Sequence, residues 1–176
     1  MSDMPASQRT DYKLEVVTLP VSDVDKAAEF YVRQVGFTLD GEVHPVPGFR
    51  YVQLTPPGSA CSLQVGTGIT DAVPGTARST YLIVADIEAA CRDLAGRGVK
   101  VGGIRHKHPA DVWEGTWAPG PDPGRRDYAS AADFADPDGN TWIIQEVGYR
   151  PPSFGSPPAQ HRGGRGRAAS SVRVVG

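Results

Sequence analysis

At 176 residues and a formal net charge of −2, the chain is long enough for one domain with a real core and too short for two full ones. Apolar residues at 39% and charged residues at 22% give a globular composition, and the near-neutral balance excludes a polyanion partner spread over the body. No apolar run reaches the roughly 18 residues of a membrane helix, and residues 1–11 lack a signal-peptide core. A cytoplasmic protein without membrane contact is therefore expected. Cys61 and Cys91 have no CxxC spacing and read as buried free thiols.

Residues 1–11 are polar and aperiodic and read as a flexible arm. The β-rich stretch 13–20 predicts a strand, with Leu14, Val16 and Thr18 on one face and Glu15, Val17 and Leu19 on the other. A helix follows, capped by Ser22 or Asp23, with Val24, Ala27, Ala28, Tyr31 and Val35 as its apolar stripe and Gly36 as its stop. Three short strands are predicted at 37–43, 49–55 and 60–65, separated by the turn-formers HPVPG and PPGS. One module is thus strand, helix, strand, strand, strand, and a Gly/Thr/Pro linker leads away from it over 67–78.

The pattern then returns. Laying Asp23 on Asp86, an offset of 63 residues, matches Leu19 with Leu82, Val21 with Val84, Val24 with Ile87, Asp25 with Glu88 and Ala27 with Ala90. Such a period suits a duplicated module in which two units share a core that neither could bury alone. The second copy predicts a strand at 79–85, a helix capped by Asp86 with the stripe Ile87, Ala90, Cys91 and Leu94, and a short strand at 99–101. Symmetry then fails, because 102–127 shows little alternation and carries two His, two Trp and APGPDPG, which reads as a lid-like loop. A last hairpin is predicted at 128–134 and 141–147 around the turn DPDGN. The tail 150–176 is rich in Arg, Gly and Pro without an acidic residue and reads as disordered.

VSDVDKAAEFY after the first strand, VADIEAACRDL after the fifth, and FADPDGNTWIIQE closing the last hairpin resemble the vicinal oxygen chelate superfamily, which includes glyoxalase I, bleomycin-resistance proteins and extradiol dioxygenases. The resemblance implies an α+β fold in which two βαβββ modules form a curled mixed sheet around a pocket, at about 12–66 and 79–149 within a domain at 12–149. It also implies homodimers and, in the catalysts, four metal ligands from the first and last strands of each module. The first-strand positions are Val16 and Ser79 here, and neither is a useful ligand for a divalent ion. The last-strand positions are Gln64 and either Gln145, from the echo of SLQVG in IIQEVG, or Ile143. No metal cofactor is expected from that quartet, which makes a neutral pocket for a small organic molecule.

Ligand-binding candidates are accordingly Val16, Thr18, Gln64, Ser79, Tyr81, Ile143 and Gln145, with Trp113 and Trp117 as aromatic contacts from the long loop. For proton transfer the candidates are His106, His108 and Tyr81, with Glu15 beside them. A slip of one residue would instead bring Glu15, Glu146 and His106 together as a divalent-metal site, against the simpler reading of surface carboxylates and a loop histidine. Arg125 and Arg126 read as a solvated loop end or a clamp for an anion. Three functions remain: a metal-free binder that sequesters its ligand or performs acid-base chemistry on it, a metal-dependent lyase, isomerase or dioxygenase, and an RNA-associated protein acting through HRGGRGR. The last is the weakest, since one partial Arg-Gly repeat carries little, and nucleic acid is not the expected partner.

Overall fold

Four residues, Val16–Leu19, form the first strand, β1, and the computed structural model already divides its two faces there. Leu19 is buried whereas Thr18 is exposed, so the core face is that of Val17 and Leu19. The structure describes residues 10–109, 112 and 114–151. The tail beyond 151, most of the N-terminal arm and Trp113 lie outside the described residues. Helix α1 follows at Val24–Glu29, where the Asp23 carboxylate accepts from the Lys26 N–H and satisfies an otherwise unpaired helix donor. Its continuation, Phe30–Val35, widens to i→i+5 bonding and ends where Gly36 takes φ 90°. A side chain at Gly36 would also run into the Arg97 guanidinium.

The first sheet is completed by β2 at Thr38–Val46, β3 at Phe49–Thr55 and β4 at Ser62–Thr67, in the order β1-β4-β3-β2. HPVPG is only partly a turn, because β2 runs on to Val46, with register shifts between Leu39 and Gly41 and between Val43 and Val46. The second module supplies β5 at Thr80–Val84 and helix α2 at Ile87–Gly96, which Asp86 caps through the Ala89 N–H. No strand forms at 99–101, where Val99 instead fills the core as coil. The stretch expected to be a lid holds two strands, β6 at Arg105–His108 and β7 at Thr116–Pro119. They extend the sheet of β8 at Ser130–Ala135 and β9 at Thr141–Glu146 in the order β5-β9-β8-β6-β7.

Both sheets press one face into a single shared core. Val52, Leu54, Leu63 and Val65 come from the first sheet, and Ala132, Phe134, Trp142 and Ile144 from the second, with Phe30 and Tyr31 of the first module packed among them. Phe134 and Trp142 stack with centroids 5.9 Å apart, and Tyr31 meets Trp142 edge-on. The two modules are also hydrogen-bonded. Tyr31 donates to Asp136 at 2.9 Å and accepts from Trp142 Nε1 at 3.0 Å, while Asn140 Nδ2 donates to the Pro20 carbonyl at 2.9 Å. Burial and the adjacent Asp136 push the Tyr31 phenol far above its ordinary range, so it stays a donor. The linker is pinned at Gly75, whose N–H reaches the Pro20 carbonyl at φ 75° and where a Cβ would overlap the Asp138 carbonyl. Among the described residues no helix is long and apolar enough to cross a membrane.

Candidate functional site

The faces turned away from this core carry the chemistry. Strand pairing puts residues opposite one another on the same face, so Val16, Thr18, Ser62, Gln64, Gln53 and Tyr51 share the open face of the first sheet. By the same logic Tyr81, Ile143 and Asp133 form one row on the open face of the second, and Ile83, Gln145, Ala131 and Arg105 the next. Trp117 joins them through its pairing with Lys107, two residues beyond Arg105 and so on the same face. Exposure agrees with this assignment, since Tyr81 is 56% and Ile83 54% exposed whereas Leu19 and Trp142 are each 1%.

Pairing also settles which last-strand residues correspond. Thr18 stands opposite Gln64 and its repeat mate Tyr81 opposite Ile143, so Ile143 occupies the position of Gln64 and Gln145 lies one pair further along. The sequence echo between SLQVG and IIQEVG misaligned them by two residues. Ser79 lies just before β5 with φ 55°, its N–H donating to Thr141 Oγ1 rather than sitting within the strand.

The predicted proton-transfer histidines do not converge with Tyr81. Arg105 and Lys107 occupy the open face of β6, so His106 and His108 project to the other side. His106 is buried with Nδ1 2.9 Å from the Gly120 carbonyl. Glu146 is likewise misread as surface: it is wholly buried on the core side of β9. Its carboxylate accepts from the Ile87 N–H at 3.0 Å and from Arg125 Nε and Nη2 at 2.9 and 2.6 Å. Arg125 is therefore neither a solvated loop end nor an anion clamp, for it also binds Glu88 and lies over the Tyr149 ring. Above all, the hydrogen bonds that its guanidinium donates to Glu146 hold it charged. Arg126 forks onto buried Asp122, and that pairing pulls the Asp122 carboxyl down to about 2. Among the described residues no three His, Cys, Asp or Glu side chains converge as a metal site, and Glu15 is exposed before β1.

What the open faces offer is amide, hydroxyl and aromatic surface. Trp117, 49% exposed, has the Arg105 guanidinium 4.8 Å and the Lys107 ammonium 4.7 Å from its ring centre. Arg105 is itself forked onto Asp133. An apolar cleft of about 510 Å³ opens between the edge strands β1 and β5, walled by Leu14, Val17, Leu63, Tyr81, Ile83 and Trp142, with the free thiol Cys61 on its wall. Sequence reasoning missed Asp40, Gln53, Thr55 and Ser62, which link to one another beside Gln64. The available signal was parity: Gln53 and Thr55 alternate with the apolar Val52 and Leu54.

Residues 13–144 match the family model for the glyoxalase/bleomycin resistance protein/dioxygenase superfamily. The chain belongs to this superfamily. Among solved structures, TnmS3, an antibiotic-binding protein from Streptomyces sp. CB03234, is 29% identical over 79% of this chain and 98% of its own, with a TM-score of 0.60. A glyoxalase/bleomycin resistance protein from the same Streptomyces is 30% identical over 76% of this chain and all of its own, with a TM-score of 0.57. A superfamily member from Sphaerobacter thermophilus DSM 20745 is 27% identical over 78% of this chain and 98% of its own, with a TM-score of 0.57. Among curated proteins none matches significantly. The shared superfamily accounts for the two duplicated modules and their mixed sheets, whereas chemistry within a fold is set by individual sites.

Proposed function

We propose that this superfamily member binds a small, flat organic molecule on the open faces of its sheets and acts by sequestration, without a catalytic metal. The observation that carries the reading is the set of side chains at the positions where the superfamily's catalysts hold their metal: Val16, Gln64, Ser79 and Ile143. Valine and isoleucine have no donor atoms, and a neutral hydroxyl and amide are poor ligands for the transition metals concerned. Support comes from the direction of β6, which turns both imidazoles away from Tyr81 and Gln145, so that among the described residues no histidine stands on that open face. An antibiotic-binding structural neighbour supports the ligand class.

Each open face is built from the strands of one sheet and so offers a ligand one wall. We infer that a second copy supplies the other wall, and that the working unit is a homodimer in the cytoplasm. Calorimetric titration of chelator-treated protein with flat aromatic antibiotics tests the function. Binding with the ligand recovered chemically unchanged, weakened about tenfold by Trp117→Ala, is the expected result. Stoichiometric Ni, Zn, Fe or Mn in protein purified without added metal, coupled to turnover, would overturn it. Sedimentation of a monomer at the concentration of the titration would remove the two-chain pocket.

A further inference from the structure

The polar side chains on the open face of the first sheet form a chain whose proton directions follow from counting. The Asp40 carboxylate, at the register shift in β2, only accepts. Thr55 Oγ1 gives its single proton to Asp40, so the 2.6 Å contact between the Thr55 and Ser62 hydroxyls is made with the Ser62 proton. Ser62 Oγ is then an acceptor for Gln53 Nε2 at 3.5 Å, and Gln53 Nε2 also donates to Asp40 at 3.4 Å. With its nitrogen committed, Gln53 turns Oε1 to Gln64, whose Nε2 donates across 3.4 Å. Every donor points back towards one carboxylate. The far end is Gln64 Oε1, which accepts no hydrogen bond among the described residues.

Gln145 arrives at the same state by another route, since its Nε2 donates to the Tyr128 carbonyl at 2.9 Å and its Oε1 is left over. Among the described residues, the charged groups placed on the open faces are two of each sign, Asp40 and Asp133 with Arg105 and Lys107. Resting on the reading that these faces bind the ligand, we propose that the ligand is a neutral, flat molecule bearing hydrogen-bond donors, phenolic O–H or ring N–H, which meet Gln64 and Gln145 as preset acceptors. Asp40 is the positioning residue that fixes the Gln64 amide through Gln53. An amide at position 40 would relax the constraint, because its NH₂ could donate to Gln53 Oε1 and reverse the whole chain.

The test compares 2,7-dihydroxynaphthalene with 2,7-dimethoxynaphthalene, which share shape and lack charge but differ in donors, by following the side-chain amide and indole signals in ¹H–¹⁵N spectra. The diol is expected to bind about tenfold more tightly than the diether, the effect of two neutral hydrogen bonds. Asp40→Asn should bring the two affinities within about twofold or invert them, and should shift the Gln53 and Gln64 Nε2 signals in ligand-free protein while the backbone spectrum is retained. Equal affinities in the unaltered protein, or an unchanged ratio in Asp40→Asn, overturn the donor rule alone. If neither probe moves the Gln64, Gln145 or Trp117 signals, the binding reading falls with it. Unshifted Gln53 and Gln64 signals in Asp40→Asn overturn the relay whatever the probes do.

Discussion

Asp122 has no exposed surface yet keeps its charge, because Arg126 forks onto it and two backbone or side-chain N–H groups of the same residue meet one oxygen. A carboxyl held down to about 2 against an ordinary 3.8 stabilises the fold above pH 4 and loses that contribution as pH falls through 2. The urea midpoint should therefore drop between pH 4 and pH 2 by more in the unaltered protein than in Asp122→Asn, which lacks the titrating group. An identical drop in both would show that the pairing contributes nothing. The pair was legible only as two charges of opposite sign four residues apart, and its burial was not. Caps were easier to read: Asp23 and Asp86 act on N–H groups three residues away, so sequence spacing alone located them.

The clasp of Arg125 belongs to the scale of elements, since it joins the loop before β8 to the start of α2 and to the end of β9. Removing the cation leaves the Glu146 carboxylate buried with only the Ile87 N–H. Arg125→Met should destabilise by about 3 kcal/mol, measured by urea unfolding, and Arg125→Met with Glu146→Met should recover part of that loss. If the double variant is no better than the single one, burial of the lone carboxylate is not the cause. Sequence reasoning could not foresee this contact, because 21 residues and a strand reversal separate the partners. It located the elements with strong periodicity, namely α1, α2, β3 and β9. It missed β6 and β7, since RHKH and TWAP have no apolar alternation and owe their strand form to pairing with β8 and with each other. For the candidate site, strand alternation let Val16, Gln64, Tyr81 and Gln145 be read as pocket-facing, and pairing turns all four away from the core, on β1 the core that Val17 and Leu19 fill. His106 went astray for want of any strand to assign parity to.

At the scale of the whole molecule, the repeat does not divide the structure. Tyr31 of the first module is buried against Trp142 of the second, and the buried side chains of both sheets belong to one cluster. Residues 12–66 and 79–149 expressed separately should each lack a cooperative thermal transition, and mixing them should restore one. Sharp melting of either half alone would contradict a shared core.

The pin at Gly75 gives the crossover between the modules two unlike parts. Downstream, its backbone is stitched to the Pro20 carbonyl and crowded by Asp138, leaving no room for a longer path. Upstream, residues 70–73 are exposed. A reporter domain spliced between residues 71 and 72 through flexible arms would hang from the one stretch of the joint that can be lengthened. The crossover thus doubles as an engineering port, open on one side of a single glycine and shut on the other.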